Sequence, residues 1–142
     1  MRTTPSNATR VPICDESDVF VARRRARELA LDEGFAEAGA AAIAIAVSEV
    51  ARNIALHARG GEILLGVEGA REGRRGIVVV ARDDEPGIPD VEAAMTDGFS
   101  TRRGLGLGLP SARRLMDEFT LESSVGKGTT VVMRKWAHGR ER

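Results

Sequence analysis

The sequence predicts an α+β fold, with helices packed on one face of a mainly antiparallel sheet. Three observations predict it. Two helix patterns follow one another between Asp15 and Ala58, strand patterns cluster after them, and the two kinds do not alternate as βαβ units. At 142 residues the chain has the size of one domain with a core of its own, needing neither disulfide nor metal to fold.

The elements follow in order. Val11 to Cys14 reads as a short edge strand. Asp15 or Ser17 can cap a helix that runs to about Asp32, with Gly34 as its stop. Glu37 to Ala58 is the strongest helix pattern: Ile43, Val47, Val50 and Ile54 fall on a stripe about 60° wide. Gly60-Gly61 ends it. Glu62 to Glu68 is a strand in which Ile63, Leu65 and Val67 alternate with Leu64 and Gly66, and a charged turn, Gly69 to Gly76, leads to a buried central strand at Ile77 to Ala81. Asp84 to Arg103 reads mostly as loop, with one helical turn near Val91 to Met95. Leu109 to Asp117 is a helix, and Thr120 to Ser123 and Thr129 to Trp136 are strands. A single domain over 10–137 is expected, with 1–9 and 138–142 as flexible termini.

Composition narrows the function classes. Lys plus Arg and Asp plus Glu are both 21, and this balance argues against a nucleic-acid partner, which would call for a basic surplus. Cys14, the single cysteine, excludes an internal disulfide and a cysteine-rich zinc site, and fits a reducing compartment. No apolar run is expected to reach the roughly 20 residues needed to span a bilayer, and the N-terminal stretch lacks the apolar core of a signal peptide. A cytoplasmic protein without a membrane partner is the expectation.

Four short motifs carry chemistry. In Ser48-Glu49-Val50-Ala51-Arg52-Asn53, Glu49 and Asn53 lie one helical turn apart, about a quarter-turn from the apolar stripe. A carboxylate there can accept a proton from an attacking hydroxyl, and an amide oxygen one turn on can ligate Mg²⁺. Taken alone, the pair reads more often as the polar flank of an amphipathic helix. In Asp83-Asp84-Glu85-Pro86-Gly87-Ile88, Asp83 follows a strand; an ionised carboxylate accepts from the exocyclic amine of adenine and repels O6 of guanine. It could also simply start a turn. Gly104, Gly106 and Gly108 alternate with leucines before Pro110, so bare backbone could approach phosphate oxygens at a helix start, although a flexible hinge reads the same way. Arg102 and Arg103 beside it could neutralise a terminal phosphate or be solvated. In Gly126-Lys127-Gly128-Thr129-Thr130, Thr129 starts a strand, where its hydroxyl could reach Asp83 or a water on adenine. The spacings fit neither a Rossmann turn nor a Walker A loop. His57 reads as a core-edge residue, and Arg23, Arg24, Arg25 and Arg27 as a basic helix face more often solvated than bound.

In this order the motifs resemble the N box and three glycine boxes of the GHKL ATPase superfamily of gyrase, histidine kinases and MutL. The lid stretch Met95-Thr96-Asp97-Gly98-Phe99-Ser100-Thr101, with Leu115 to Phe119 and Gly126 to Val131, is similar to the RsbT-type serine/threonine kinases of the stressosome. Anti-sigma factors of the RsbW and SpoIIAB type are close relatives. The resemblance implies a Bergerat fold, a two-layer sandwich on a mainly antiparallel mixed sheet, that uses ATP and Mg²⁺. It implies Glu49 as general base, Asn53 as magnesium ligand, Asp83 and Gly87 as adenine site, and Gly104, Gly106 and Gly108 as phosphate loop. STAS-domain proteins would be substrates and sequestering partners, and a PP2C-type phosphatase would be activated. The alternative is an anti-sigma factor that sequesters a sigma factor and phosphorylates an anti-anti-sigma STAS protein. A histidine kinase is disfavoured, since no histidine precedes Ser48. The sequence departs from the family at Glu85, where the box has glycine; a positive φ there would cost on the order of 1 kcal/mol.

Overall fold

A computed structural model describes residues 8–58, 60–71, 74–83, 108–124 and 128–137. The chain order is β1 (Thr9–Ile13), α1 (Glu16–Asp32), α2 (Glu37–His57), β2 (Gly61–Arg71), β3 (Arg74–Asp83), α3 (Leu109–Leu115), β4 (Glu118–Ser124) and β5 (Gly128–Trp136). The strands form one sheet in the order β1-β2-β3-β5-β4. Each described ladder is antiparallel, so no parallel pair makes the sheet mixed. The expected α+β sandwich is the one observed.

Local sequence explains the helix ends. Asp15 is the N-cap of α1: its Oδ1 accepts from the Ser17 amide at 2.9 Å, and Asp18 Oδ2 accepts from the Asp15 amide at 3.2 Å. This is a capping box, which satisfies helix-end donors that have no partner in the helix. The other cap candidate, Ser17, donates its hydroxyl to Asp15 instead. The Ser17 hydroxyl and amide hold the Asp15 carboxyl below the ordinary aspartate range. At the other end Gly34 N–H reaches Leu31 O and Phe35 N–H reaches Ala30 O, a Schellman closure that drives Phe35 into the core.

The period-2 alternation of the strands sorts the side chains. Val11, Ile13, Ile63, Leu65, Ile77, Val79, Val131 and Met133 pack with Val19, Ala22 and Ala26 of α1 and Ile43, Val47, Val50 and Ile54 of α2 in the main core. Leu64, Val78 and Val80 form a second, smaller cluster with Ala8 and Val132. By register the same face carries the ion pairs of Glu62 with Arg10 and Arg82, and of Arg134 with Glu68. Apolar residues on both faces of β3 account for its unbroken run, Ile77 to Ala81.

Three expectations are corrected. The charged turn at Gly69 to Gly76 is largely ladder: Glu68 pairs with Gly76 and, after a register shift, Arg71 with Arg74. Charged residues can extend a hairpin because the ladder is made by main chain. Trp136 also lies against Gly76, where an added Cβ would stand 2.7 Å from its ring. Second, α3 stops at Leu115; Met116 is extended, and Asp117 is drawn to β5 through its amide to Arg134 O and its carboxylate to the Trp136 amide. Third, Glu37–Leu56 of α2 is long and apolar enough, by length and composition, to cross a membrane. Half of that span is buried inside the fold, against the sheet and α1.

Candidate functional site

Helix α2 supplies two side chains. Glu49 is 22% exposed, and its Oε1 lies 3.6 Å from Arg52 Nη1, three residues on. One turn beyond Glu49, both polar atoms of the Asn53 amide are buried and have no hydrogen-bond partner among the described residues. A buried amide without a partner costs about 1–3 kcal/mol. It fits an oxygen-seeking cation that arrives with a ligand, and Mg²⁺ takes one or two protein oxygens beside phosphate oxygens. Among the described residues no group of three or more His, Cys, Asp or Glu could hold a metal ion.

Helix α3 begins against α2. Gly108 is its N-cap, in the left-handed conformation at φ 83°, and offers no side chain to cap the helix. A methyl group built on Gly108 would stand 1.9 Å from Glu49 Oε1. The last glycine of the loop and the carboxylate of α2 are thus neighbours, far apart in the chain and joined by the fold.

The third part is the end of β3. Asp83 Oδ1 accepts from the main-chain N–H of Thr129 at 2.9 Å. The sequence pointed to the Thr129 hydroxyl; the observed donor is its amide, and the hydroxyl lies 2.8 Å from Ser123 Oγ. Thr129 is buried, at the start of β5. Asp83 pairs across the ladder with Gly61, whose missing side chain is a packing requirement. A Cβ there would stand 2.2 Å from Arg82 O, and 3.0 Å from both Asp83 Cα and Ile54 Cγ2. Gly61 lets α2, one residue past Asn53, press onto the strand end that carries Asp83.

Of the predicted site residues, then, Glu49 and Gly108 meet directly, and Asp83 and Thr129 meet directly. Asn53 shares α2 with Glu49, one turn on. Gly87, Arg102, Gly104 and Gly106 lie outside the described residues, as do Glu85 and the lid stretch. Sequence reasoning assigned no part to Arg52, Gly61 or Ser123. Arg52 could have been found from its i+3 spacing to Glu49. Gly61 was read only as a helix stop, and Ser123 needs the β4–β5 register to be noticed.

Comparison with known proteins places the chain in a family. Residues 15–135 match the histidine kinase-like ATPase domain family. The chain is 47% identical over 127 residues to serine/threonine-protein kinase RsbT of Bacillus subtilis, covering 89% of this chain and 94% of that protein. It is 38% identical over 103 residues to an anti-sigma F factor of Caldanaerobacter subterraneus, covering 70% of this chain and 71% of that one. An anti-sigma F factor of Geobacillus stearothermophilus is 42% identical over a shorter stretch of 60 residues, 40% of this chain and 41% of its own. With a family match across most of its length and nearly half of its residues shared with RsbT, the chain belongs to the histidine kinase-like ATPase family, on its RsbT-type serine/threonine kinase branch.

Proposed function

We propose that this kinase transfers the terminal phosphoryl group of ATP to a serine or threonine of STAS-domain antagonist proteins in a bacterial partner-switching pathway. The observation that carries the reading is the pairing on α2 of Glu49 with the buried amide of Asn53, which has no hydrogen-bond partner among the described residues. In this reading Glu49 takes the proton of the acceptor hydroxyl, the acceptor oxygen bonds to the terminal phosphorus, and the bond from that phosphorus to the bridging oxygen breaks, its electron pair leaving on ADP. Such a transfer depends on positioning and charge stabilisation more than on covalent chemistry, so a small domain suffices. Asn53 would hold Mg²⁺, which supplies charge neutralisation for the phosphates. Asp83, oriented by the Thr129 amide, would accept from the exocyclic amine of adenine. Gly87, Arg102, Gly104 and Gly106 are proposed for the remaining nucleotide contacts on the resemblance alone. The same resemblance supports a cytoplasmic protein that, once released from its STAS partners, activates a PP2C-type phosphatase.

The anti-sigma F relatives favour a second reading, in which a sigma factor is sequestered and kinase activity is secondary. One experiment separates the two: phosphate incorporation from labelled ATP into the STAS proteins of the native host, wild type against Glu49→Gln. Wild type should label a folded STAS domain, and Glu49→Gln should be slower by about 10²–10⁴-fold, the range for losing a general base. If wild type labels none yet binds a sigma factor tightly in an ATP-dependent way, the second reading stands.

A further inference from the structure

The start of α3 and the Glu49 carboxylate share one volume only because residue 108 has no side chain. A Cβ on Gly108 would stand 1.9 Å from Oε1, 2.7 Å from Cδ and 3.1 Å from Cβ of Glu49. One of the two must then move. The backbone of α3 is poorly placed to do so: Leu109 and Ala112 are buried in the main core, and the Ala112 amide bonds Gly108 O at 2.8 Å. The carboxylate is the end of a flexible side chain, 22% exposed, with the Arg52 guanidinium 3.6 Å away to receive it elsewhere. An added methyl at 108 therefore displaces the carboxylate and leaves the fold standing.

We infer that Gly108 is a positioning residue for Glu49: its missing side chain seats the carboxylate, so that the start of α3 and the proton acceptor are set together. This goes beyond a glycine whose backbone merely approaches phosphate, and it rests on the reading of Glu49 as the proton acceptor. A phosphate-loop role makes Gly108 matter for nucleotide affinity. A seating role makes it matter for the transfer step.

The test separates left-handed strain from occupied space. Asparagine tolerates the left-handed conformation far better than alanine but still carries a Cβ. Gly108→Asn and Gly108→Ala are both expected to stay folded by circular dichroism. Both should lower kcat for transfer to a STAS domain by about 10²-fold, the scale of an ångström-sized misplacement, with KM for ATP nearly unchanged. Shortening the acid should then help: Glu49→Asp lowers kcat in the wild-type background but raises it in the Gly108→Ala background. Gly108→Asn with wild-type kcat, a change confined to KM, or the same Glu49→Asp loss in both backgrounds overturns the inference. Failure of the underlying reading looks different, since Glu49→Gln alone would then transfer phosphate as well as wild type.

Discussion

Asp83 has two carboxylate oxygens, and one of them is already oriented by the Thr129 amide at 2.9 Å. That bond fixes the side chain from the β5 side, while Gly61 fixes the strand end from the α2 side. Asn53 is placed differently, with a buried amide that nothing described satisfies. The two residues should therefore fail differently. Asn53→Ala is expected to weaken the magnesium-dependent part of ATP binding, and Asp83→Asn to weaken binding with or without metal. Titration of each variant with nucleotide, with and without Mg²⁺, measures this; the same metal dependence in both removes the division of labour. At this scale the sequence was readable where spacing carries the information, as for Glu49 and Asn53 one turn apart. It was silent where a main-chain group acts, because no residue type announces that the Thr129 amide, and not its hydroxyl, faces Asp83. It was silent too on the contact between Gly108 and Glu49, which depends on where α3 docks.

Elements were readable where their ends have local causes. The Asp15 box and the Gly34 closure bracket α1 as expected, while α2 runs from Glu37 as its apolar stripe requires. The β2–β3 hairpin is longer than its apolar pattern, because a polar ladder has no hydrophobic period to show. Two predictions belong here. Gly61→Ala forces a methyl against Arg82 O and Ile54, both parts of packed elements, and should cost about 1–3 kcal/mol of stability in urea unfolding, as overpacking does. A neutral result would mean that α2 can lift from the strand end freely. The second concerns pH. The Asp15 carboxyl titrates lower in the folded chain than in the unfolded one, held by the Ser17 hydroxyl and amide. A lowered folded value makes its contribution fully present above the ordinary aspartate range, about pH 3.9, and lost as pH falls through the folded value. Asp15→Asn should thus lose most stability relative to wild type near neutrality and converge with it in acid, as thermal melts across that range would record. A constant gap across the range would deny the carboxylate that role.

Across the whole molecule, the site lies where three separate segments converge: the α2 face, the end of β3 with the start of β5, and the start of α3. Ligand binding that engages all three should stabilise the fold as a unit, because only the folded state offers them together. A ligand at 100 times its Kd adds about 2.7 kcal/mol by mass action. For a chain of 142 residues that is a rise in Tm of roughly 5–15 °C. ATP with millimolar Mg²⁺ is predicted to give a rise of this order at saturation. GTP should give much less, since its O6 presents an acceptor where Asp83 presents another. Phosphates and magnesium are common to both nucleotides, so the difference between the two shifts isolates the base and its aspartate. Asp83→Asn supplies the control: an amide can donate as well as accept, so discrimination should shrink in that variant even if both shifts become smaller. Equal stabilisation of the wild-type chain by ATP and GTP would remove Asp83 from base recognition, and with it the orientation of the nucleotide that brings the terminal phosphate toward Glu49.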